Sequence, residues 1–591
     1  MSSQKCVHAA TTLIIFFALA SALVSSPIPA SAQSIPLSNH VVLIVDENTS
    51  FSTVYPSGMP WLVREGNKYG FSSNYYSNVS GSLLDYLWLA SGSSESAFGC
   101  NGNDCTSPIT DENIFHLMSE APVSWKVYAL NYLNAGGTIS AGDAARGTHY
   151  YKRHNAAPWY AHVISNVLGS QGQIVDFEQF GIDVANGTLP RYSIITPDGN
   201  YDRHDGTLSQ ADSFLQSNLA AMLASYDFQS GGSGLLEVTF DNGDGDAQGQ
   251  VYSTLIGPNI KSGYDSTVYY QHQNSLRTML DSLGIHTYPG GSNGAADMSD
   301  FFTSNSGGVA IDSPANNSNQ STNVLVKAEA SENGITIDHM EVWDNTTGQK
   351  LGNSAGSTVN QTYTLTPGTH QLVVQDVSAG GTIYHKEYAT AIVSSTNGVT
   401  ITEPANNSSQ AALLFPLSAY AVSASPTIDH LEVWDSTTGT KLEDSPKGST
   451  VARWFAVSAG THNLTVQSVA SGGTVINKSS VTITASSNNG VYVNAPANNS
   501  TQTGTTVHIN AYANELSGTG NVLIDHLEVW DATHGVKLAN SPTGTTGLTS
   551  LYMDQNVTLG YGPGTYQLAI SDINASGFTK VHTTTVNITI Q

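Results

Sequence analysis

The chain has 591 residues, too many for one hydrophobic core, so several domains are expected. Lys and Arg total 20 against 46 Asp and Glu, a formal charge of −26, and such a surface repels polyanions, which argues against nucleic acid and anionic membranes as partners. Charged residues make up only 11% of a chain rich in Gly, Ser, Thr and Asn, a composition that suits a secreted, strand-rich protein.

In chain order, the first feature is a leader. Lys5 precedes the apolar run "TTLIIFFALASALV", which is short for a membrane span, and "ASAQ" then offers a cleavage site between Ala32 and Gln33. Residues 1–32 therefore read as a signal peptide, with no transmembrane segment left after its removal. Cleavage also removes Cys6, leaving Cys100 and Cys105 in "CNGNDC". In an oxidising compartment such a pair is expected to form a disulfide.

Strands and helices alternate over residues 33–305. "HVVLIV" predicts a strand, "MPWLVREGNKYG" a helix and "FSSNYY" a strand. "SLLDYLWLAS" predicts a helix, "VSWKVYAL" and "YSIIT" strands, and "QADSFLQSNLAAMLAS" a helix. "GLLEVTF" is a strand, and "QNSLRTMLDSLGI" a helix with Leu276, Met279, Leu280 and Leu283 at helical spacing. This alternation predicts an α/β domain with a mostly parallel sheet.

Three of the strands run straight into acidic loops. Val41 to Val45 lead into Asp46, Glu47 and Asn48. "YSIIT" leads into Asp198, Asp202, His204 and Asp205, and "LLEVTF" into Asp241 and Asn242. Open α/β sheets bind ligands at the carboxyl ends of their strands. Buried carboxylates need a positive partner, and converging Asp, Asn and His side chains would supply one by holding divalent cations. The metal stays open among Zn, Mg, Mn, Ca and Fe.

The second half is a repeat. "SPANNSNQS", "EPANNSSQA" and "APANNSTQT" start at Ser313, Glu403 and Ala495, and "IDHMEVWD" or "IDHLEVWD" recurs at Ile337, Ile428 and Ile524. The period of about 90–100 residues is that of a β-sandwich. Three immunoglobulin-like domains are expected at 308–395, 398–487 and 490–591. The recurring Trp343, Trp434 and Trp530 are read as sandwich core in preference to a carbohydrate platform, and His339, His430 and His526 as structural.

The acidic motifs also resemble a family. "HVVLIVDENTSF", "YYSNVSGSLLDYLWLASGS", "YYKRHNAAPWY", "LPRYSIITPDGNYDRHDG", "LLEVTFDNGDGD" and "YQHQNSLRTMLDSLGI" fall in order across residues 39–302. Together they resemble the bacterial phosphoesterase family of phospholipases C and acid phosphatases. The resemblance implies an alkaline-phosphatase-like α/β fold and hydrolysis of a phosphate ester or phospholipid by a metal-dependent serine nucleophile. It implies Ser82 as nucleophile, with His204 and His272 as further catalytic residues. Metal ligands would be Glu47, Asn48, Asp202, Asp241 and Asn242. Arg153, His154 and Asn155, with Asp85, would lie near the substrate phosphate. The chain departs from the family pattern at Ser80, where a His is usual, at Asp85, where an Asn is usual, and at Asn242, where a Glu is usual.

Two expectations follow for the whole chain. The first is a secreted phosphoesterase whose repeats serve as a stalk or bind a cell-surface or polysaccharide partner. The alternative is a surface binding or adhesion protein with a degenerate phosphoesterase domain, or one in which the repeats themselves are the point.

Overall fold

The structure is a computed structural model. It describes residues 35–591 except 122, 133–134, 136–141, 166–173, 244–247, 305, 412–414, 424, 446–447, 456, 487–488, 515–523, 542–549 and 575–578. The expected signal peptide lies outside the described residues.

Eight strands build the first sheet: β1 Val41–Asp46, β2 Gly70–Ser72, β3 Trp125–Ala129, β4 Ile174–Asp176, β5 Tyr192–Thr196, β6 Leu235–Phe240, β7 Ser253–Ile256 and β8 Tyr264–Ser266. Their order is β4-β3-β5-β1-β6-β7-β2-β8. The run from β4 to β6 is parallel throughout, while β7 is antiparallel to both its neighbours. Every residue of β1, β5 and β6 is buried, as expected of central parallel strands covered on both faces. This is why β1 is an unbroken apolar run up to Asp46.

The amphipathic segments form helices at Pro60–Lys68, Ser82–Ser91, Leu208–Leu223 and His272–Ser282. Leu276, Met279, Leu280 and Leu283 are all buried, so helical spacing located the covered face correctly. "FSSNYY" is not one strand. Gly70–Ser72 joins the large sheet, whereas Tyr75–Tyr76 pairs with Tyr270–Gln271 in a separate two-stranded sheet. The break falls where Asn74 spends its side-chain amide on the Thr267 carbonyl, 2.9 Å away.

Each repeat is a sandwich of a three-stranded and a five-stranded sheet. In the first, Gly307–Ser313, Asn323–Glu332 and Thr358–Thr364 face a sheet containing His339–Asp344, Gly368–Val377 and Ile383–Ser394. The expectation that the repeated Trp is core is wrong. In "HMEVWD" the buried positions are Met340, Val342 and Asp344, so Trp343 points outward beside Glu341 and is only half-buried. Its indole N–H donates to Glu341 at 2.9 Å, and the Lys350 ammonium lies 5.8 Å from its ring. Trp434 with Glu432 and Lys441, and Trp530 with Glu528 and Lys537, repeat the arrangement. The period-two alternation already assigned Trp to the outer face, and its size outweighed that signal. His339 and His430 pair with Asp338 and Asp429 at 2.8 and 3.0 Å, a structural role. Among the described residues, no helix is long and apolar enough to cross a membrane.

Candidate active site

The acidic loops at the ends of β1, β5 and β6 are tied together through their backbones. Asp241 N donates to the Asp46 carbonyl at 2.9 Å, Glu47 N to the Asp202 carbonyl at 2.7 Å, and Thr49 N to the Asn242 carbonyl at 3.0 Å. Three chain segments far apart in sequence thus present their side chains to one place. Asn48 sits in the left-handed region at φ 46°, which an Asn tolerates better than most residues. Its N–H reaches Asp241 Oδ1 at 2.7 Å and its Nδ2 reaches Glu47 Oε2 at 2.8 Å.

Ser82 is the first residue of its helix. The cap position is Gly81, at φ 105°, where a Cβ would meet the Cα of Gly102 at 2.8 Å. The close approach comes from the loop closed by the Cys100–Cys105 disulfide, and Leu83 N donates to the Gly102 carbonyl at 3.2 Å. The disulfide loop therefore braces the turn that carries Ser82. The hydroxyl of Ser82 makes no cap but donates to Glu47 Oε2 at 2.7 Å, so it is turned to the acidic cluster. The free N–H groups and dipole of the helix start favour an anion at the same point.

Charge is the main property of the site. Asp46, Glu47, Asp202 and Asp241 have no exposed surface. Burial, followed by the neighbouring carboxylates, pushes Asp46 and Glu47 well above the usual carboxylate range; burial also raises Asp202, and Asp241 to about 6. Both oxygens of Asp46, Oε1 of Glu47 and Nε2 of His154 have no hydrogen-bond partner. Arg153 is spent elsewhere, on Asp143 and on His204 at 2.9 Å. Unpaired buried carboxylates with orphaned oxygens fit a divalent cation. Ligand atoms of three acidic or His residues all within 4.8 Å of one another are found among the described residues only in the first repeat, so the strand-end oxygens are spread more widely.

The remaining expected residues divide into two groups. His154 joins the cluster: its Nδ1 is 2.8 Å from Asp202 and its Nε2 3.4 Å from Glu47, and burial holds it neutral. His204 is half-buried at the edge, its N–H bound to Asp202 at 2.7 Å. Asn155 is buried and accepts from Ala157 N at 3.1 Å, beside the site without touching its carboxylates. Asn242 binds Asp241 twice, at 2.6 and 2.7 Å. Asp85 has no exposed surface, and its Oδ1 accepts from Asn78 N and Val79 N at 3.0 and 3.2 Å. Burial, then Asp241, raises it to about 9. His272 is fully buried, with Nε2 on the Asp241 carbonyl at 2.7 Å and Nδ1 on Tyr75 at 3.0 Å. Asp85 and His272, 3.5 Å apart, thus brace the two loops that hold Ser82 and Asp241.

Sequence reasoning missed several members. Asp46 posed the question of a positive partner but was not counted among the ligands. His149 and Tyr151 both bind Asp205 at 2.8 Å; against burial, these bonds and one from His204 hold Asp205 down at about 2. Tyr86 stacks on His154 at 5.8 Å. The aromatic and cationic run "HYYKRHN" was the available signal for His149 and Tyr151, since binding and catalytic residues concentrate on loops.

Comparison with known proteins gives the class. Residues 55–286 match the model of the phosphoesterase family, and residues 308–374 match that of a bacterial Ig domain. The first match includes Ser82, Asp202, Asp241 and His272, while Glu47 and Asn48 lie just ahead of it. A phosphatidylinositol-3-phosphatase of Mycobacterium tuberculosis is 27% identical over 261 residues, 43% of this chain and 80% of that protein. A probable acid phosphatase of Kluyveromyces lactis is 27% identical over 257 residues, 41% of this chain and 59% of that protein. A solved alkaline phosphatase superfamily protein from Vibrio parahaemolyticus is 11% identical, over 54% of this chain and 83% of that one, at a TM-score of 0.31. The chain is a phosphoric ester hydrolase domain followed by immunoglobulin-like repeats.

Proposed function

We propose that this protein is a secreted, metal-dependent phosphatase that works through Ser82, its repeats holding the enzyme at a cell surface or polysaccharide. One observation carries the catalytic part: a buried serine hydroxyl donates to Glu47 at 2.7 Å inside a carboxylate cluster that the chain itself leaves unneutralised. Glu47, Asn48 and Asp241, with Asp202 and Asn242, would hold one or more divalent cations, supplying Lewis-acid withdrawal of charge from phosphoryl oxygens and a more acidic serine.

Ser82 Oγ attacks phosphorus in line. Its proton already points at Glu47 Oε2, which takes it as the Oγ–P bond forms. The P–O bond to the leaving alcohol breaks, and His204, as an imidazolium, would protonate the departing oxygen through Nε2 once Arg153 leaves that nitrogen for the phosphate. Water then attacks the phosphoserine, releasing phosphate and restoring the hydroxyl. The helix N-terminus favours the phosphoryl oxygens, and Arg153 would join it by leaving Asp143 and His204. His154 and Asn242 hold the carboxylates, and Asp85 and His272 fix the loops around them. Relatives include acid phosphatases and a phosphoinositide phosphatase by name, which favours a phosphomonoester substrate.

The test is a quenched single turnover with radiolabelled p-nitrophenyl phosphate analogue. Label is expected on Ser82. The Ser82→Ala protein should stay folded and lose turnover by on the order of 10⁴-fold. Brisk hydrolysis by Ser82→Ala would overturn the covalent route. No hydrolysis by the metal-loaded wild type would favour a binding protein with a degenerate enzyme domain, to which Asp85 and Asn242 point.

A further inference from the structure

Away from the strand ends, the first repeat contains a second cluster with the same unbalanced charge. Glu332 ends one strand of the three-stranded sheet, and Asp376 and His385 lie on neighbouring strands of the facing sheet. One ligand atom from each of the three lies within 4.8 Å of the other two. Asp376 has no exposed surface and the Glu332 side chain is 1% exposed. His385 Nδ1 contacts Glu332, and its backbone N–H donates to Asp376 Oδ1 at 2.7 Å. Asp376 Oδ2 is buried with no hydrogen-bond partner. Two buried carboxylates facing one imidazole are a poor arrangement by themselves, since even a protonated His leaves one negative charge over. Burial, with Asp376 adding to it, pushes the Glu332 carboxyl up to about 7.

The other repeats supply an internal comparison. Strand register aligns Asp376, paired with Met340, to Ser468, paired with Leu431, and to Asp572, paired with Leu527. It aligns His385 to Asn477 and His582, each preceding the residue paired opposite Gln375, Gln467 or Ser571. Glu332, opposite Gly307, aligns to the residue after Val422, Ser423. Repeat two therefore replaces Glu, Asp and His together by Ser, Ser and Asn, and there Asn477 N simply donates to Ser468 Oγ at 3.2 Å. Repeat three keeps the Asp572–His582 pair at 3.1 Å. The three positions change together in repeat two, as members of one coupled group do.

We propose that Glu332, Asp376 and His385 form a binding site for a divalent transition metal of the zinc type. Two carboxylate oxygens and one imidazole nitrogen are three ligands of a tetrahedral set, and water completes it where His385 reaches the surface. The site also lies at the joint with the hydrolase domain. Asn333, next to Glu332, donates its N–H to the Ser306 carbonyl at 3.0 Å, and Tyr226 of the hydrolase domain donates to the carbonyl of Lys386, next to His385, at 3.1 Å. A metal here would fasten the strand ends at Glu332 and His385 that lie beside these two contacts.

The experiment compares the full chain with its Glu332→Ser/Asp376→Ser/His385→Asn variant, which carries the residues repeat two already uses in the same fold. Equilibrium dialysis with Zn²⁺ should show the variant binding one equivalent fewer, with p-nitrophenyl phosphate hydrolysis unchanged. Co²⁺ added to wild type should give a tetrahedral visible band that the variant lacks. Should the triple variant not fold, His385→Asn alone should weaken the tightest non-catalytic Zn²⁺ site by at least about tenfold. Equal Zn²⁺ stoichiometry in both proteins would overturn the proposal and leave a carboxyl pair sharing a proton. Binding of Ca²⁺ in preference to Zn²⁺ would overturn the assignment of metal class. Because hydrolysis is read separately, this outcome does not depend on the assignment of the strand-end site.

Discussion

Two regions of this molecule gather acidic side chains and treat them oppositely. On the outer face of each repeat, Glu341, Glu432 and Glu528 each accept from a Trp indole and a Lys ammonium. Although desolvation opposes it, these bonds hold all three carboxyls down at about 2. At the ends of β1, β5 and β6, burial drives Asp46, Glu47, Asp202 and Asp241 the other way, and the guanidinium of Arg153 is turned to Asp143 and His204. Where the chain supplies its own cation, the acid is structural. Where it leaves the acid unpaired in the core, the missing charge has to come from outside, and that is where chemistry is expected.

The contrast is broken most directly at Glu47. Glu47→Gln should lower turnover by on the order of 10³-fold, because a ligand, its charge and the acceptor of the Ser82 proton go together. The same change should make the metal-free protein more stable by about 1–3 kcal/mol, since a desolvated carboxyl crowded by Asp241 and Asp202 is replaced by a neutral amide. Chelated protein followed through urea unfolding reads this gain; a loss of stability would mean that Glu47 is paired by the chain after all.

Glu237 sharpens the comparison, as a buried acid near the site that takes no part in it. It accepts from Ser253 and Ser275 at 3.0 and 2.5 Å, and burial raises it to about 7 from an ordinary 4.5. The folded state therefore binds its proton more tightly than the unfolded chain does. Its contribution is fully present below about pH 4.5 and is lost as pH rises through about 7, a change on the order of 3 kcal/mol. Glu237→Gln should flatten that part of the stability–pH curve, measured as the difference from wild type. An unchanged slope would show that water or a cation reaches this acid too.

The smallest effect belongs to the surface set. Glu341→Ala should cost at most about 1 kcal/mol in unfolding of the first repeat and leave hydrolysis unchanged, because a solvated Lys–Glu pair is worth little. A large loss of stability would place the Trp–Glu–Lys set among the structural supports of the sandwich.

Much of this arrangement was legible in the sequence. β1, β5 and β6 announce themselves as buried strands ending in acids, and the three-fold recurrence of "EVWD" outlines the sandwiches. The side of the strand on which Trp343 lies was legible too, through the alternation of His339, Glu341 and Trp343 with Met340 and Val342. What was not legible depends on contacts across long stretches of chain. The role of Asp85 is set by backbone N–H groups of Asn78 and Val79, and that of His272 by the Asp241 carbonyl, and no periodicity encodes either. The Glu332–Asp376–His385 group was equally hidden, because its members are single residues on three strands until register aligns them.

The most direct measurement is metal content against turnover in a chain whose first-repeat cluster has been replaced by the repeat-two residues, so that metal bound there does not confuse the count. Dialysis against a chelator should remove metal and p-nitrophenyl phosphate hydrolysis in step, and returning the divalent cation should restore both; Glu47→Gln should recover neither. Undiminished hydrolysis by the metal-free protein would contradict the account, because the buried carboxylates at the strand ends would then need no cation from outside.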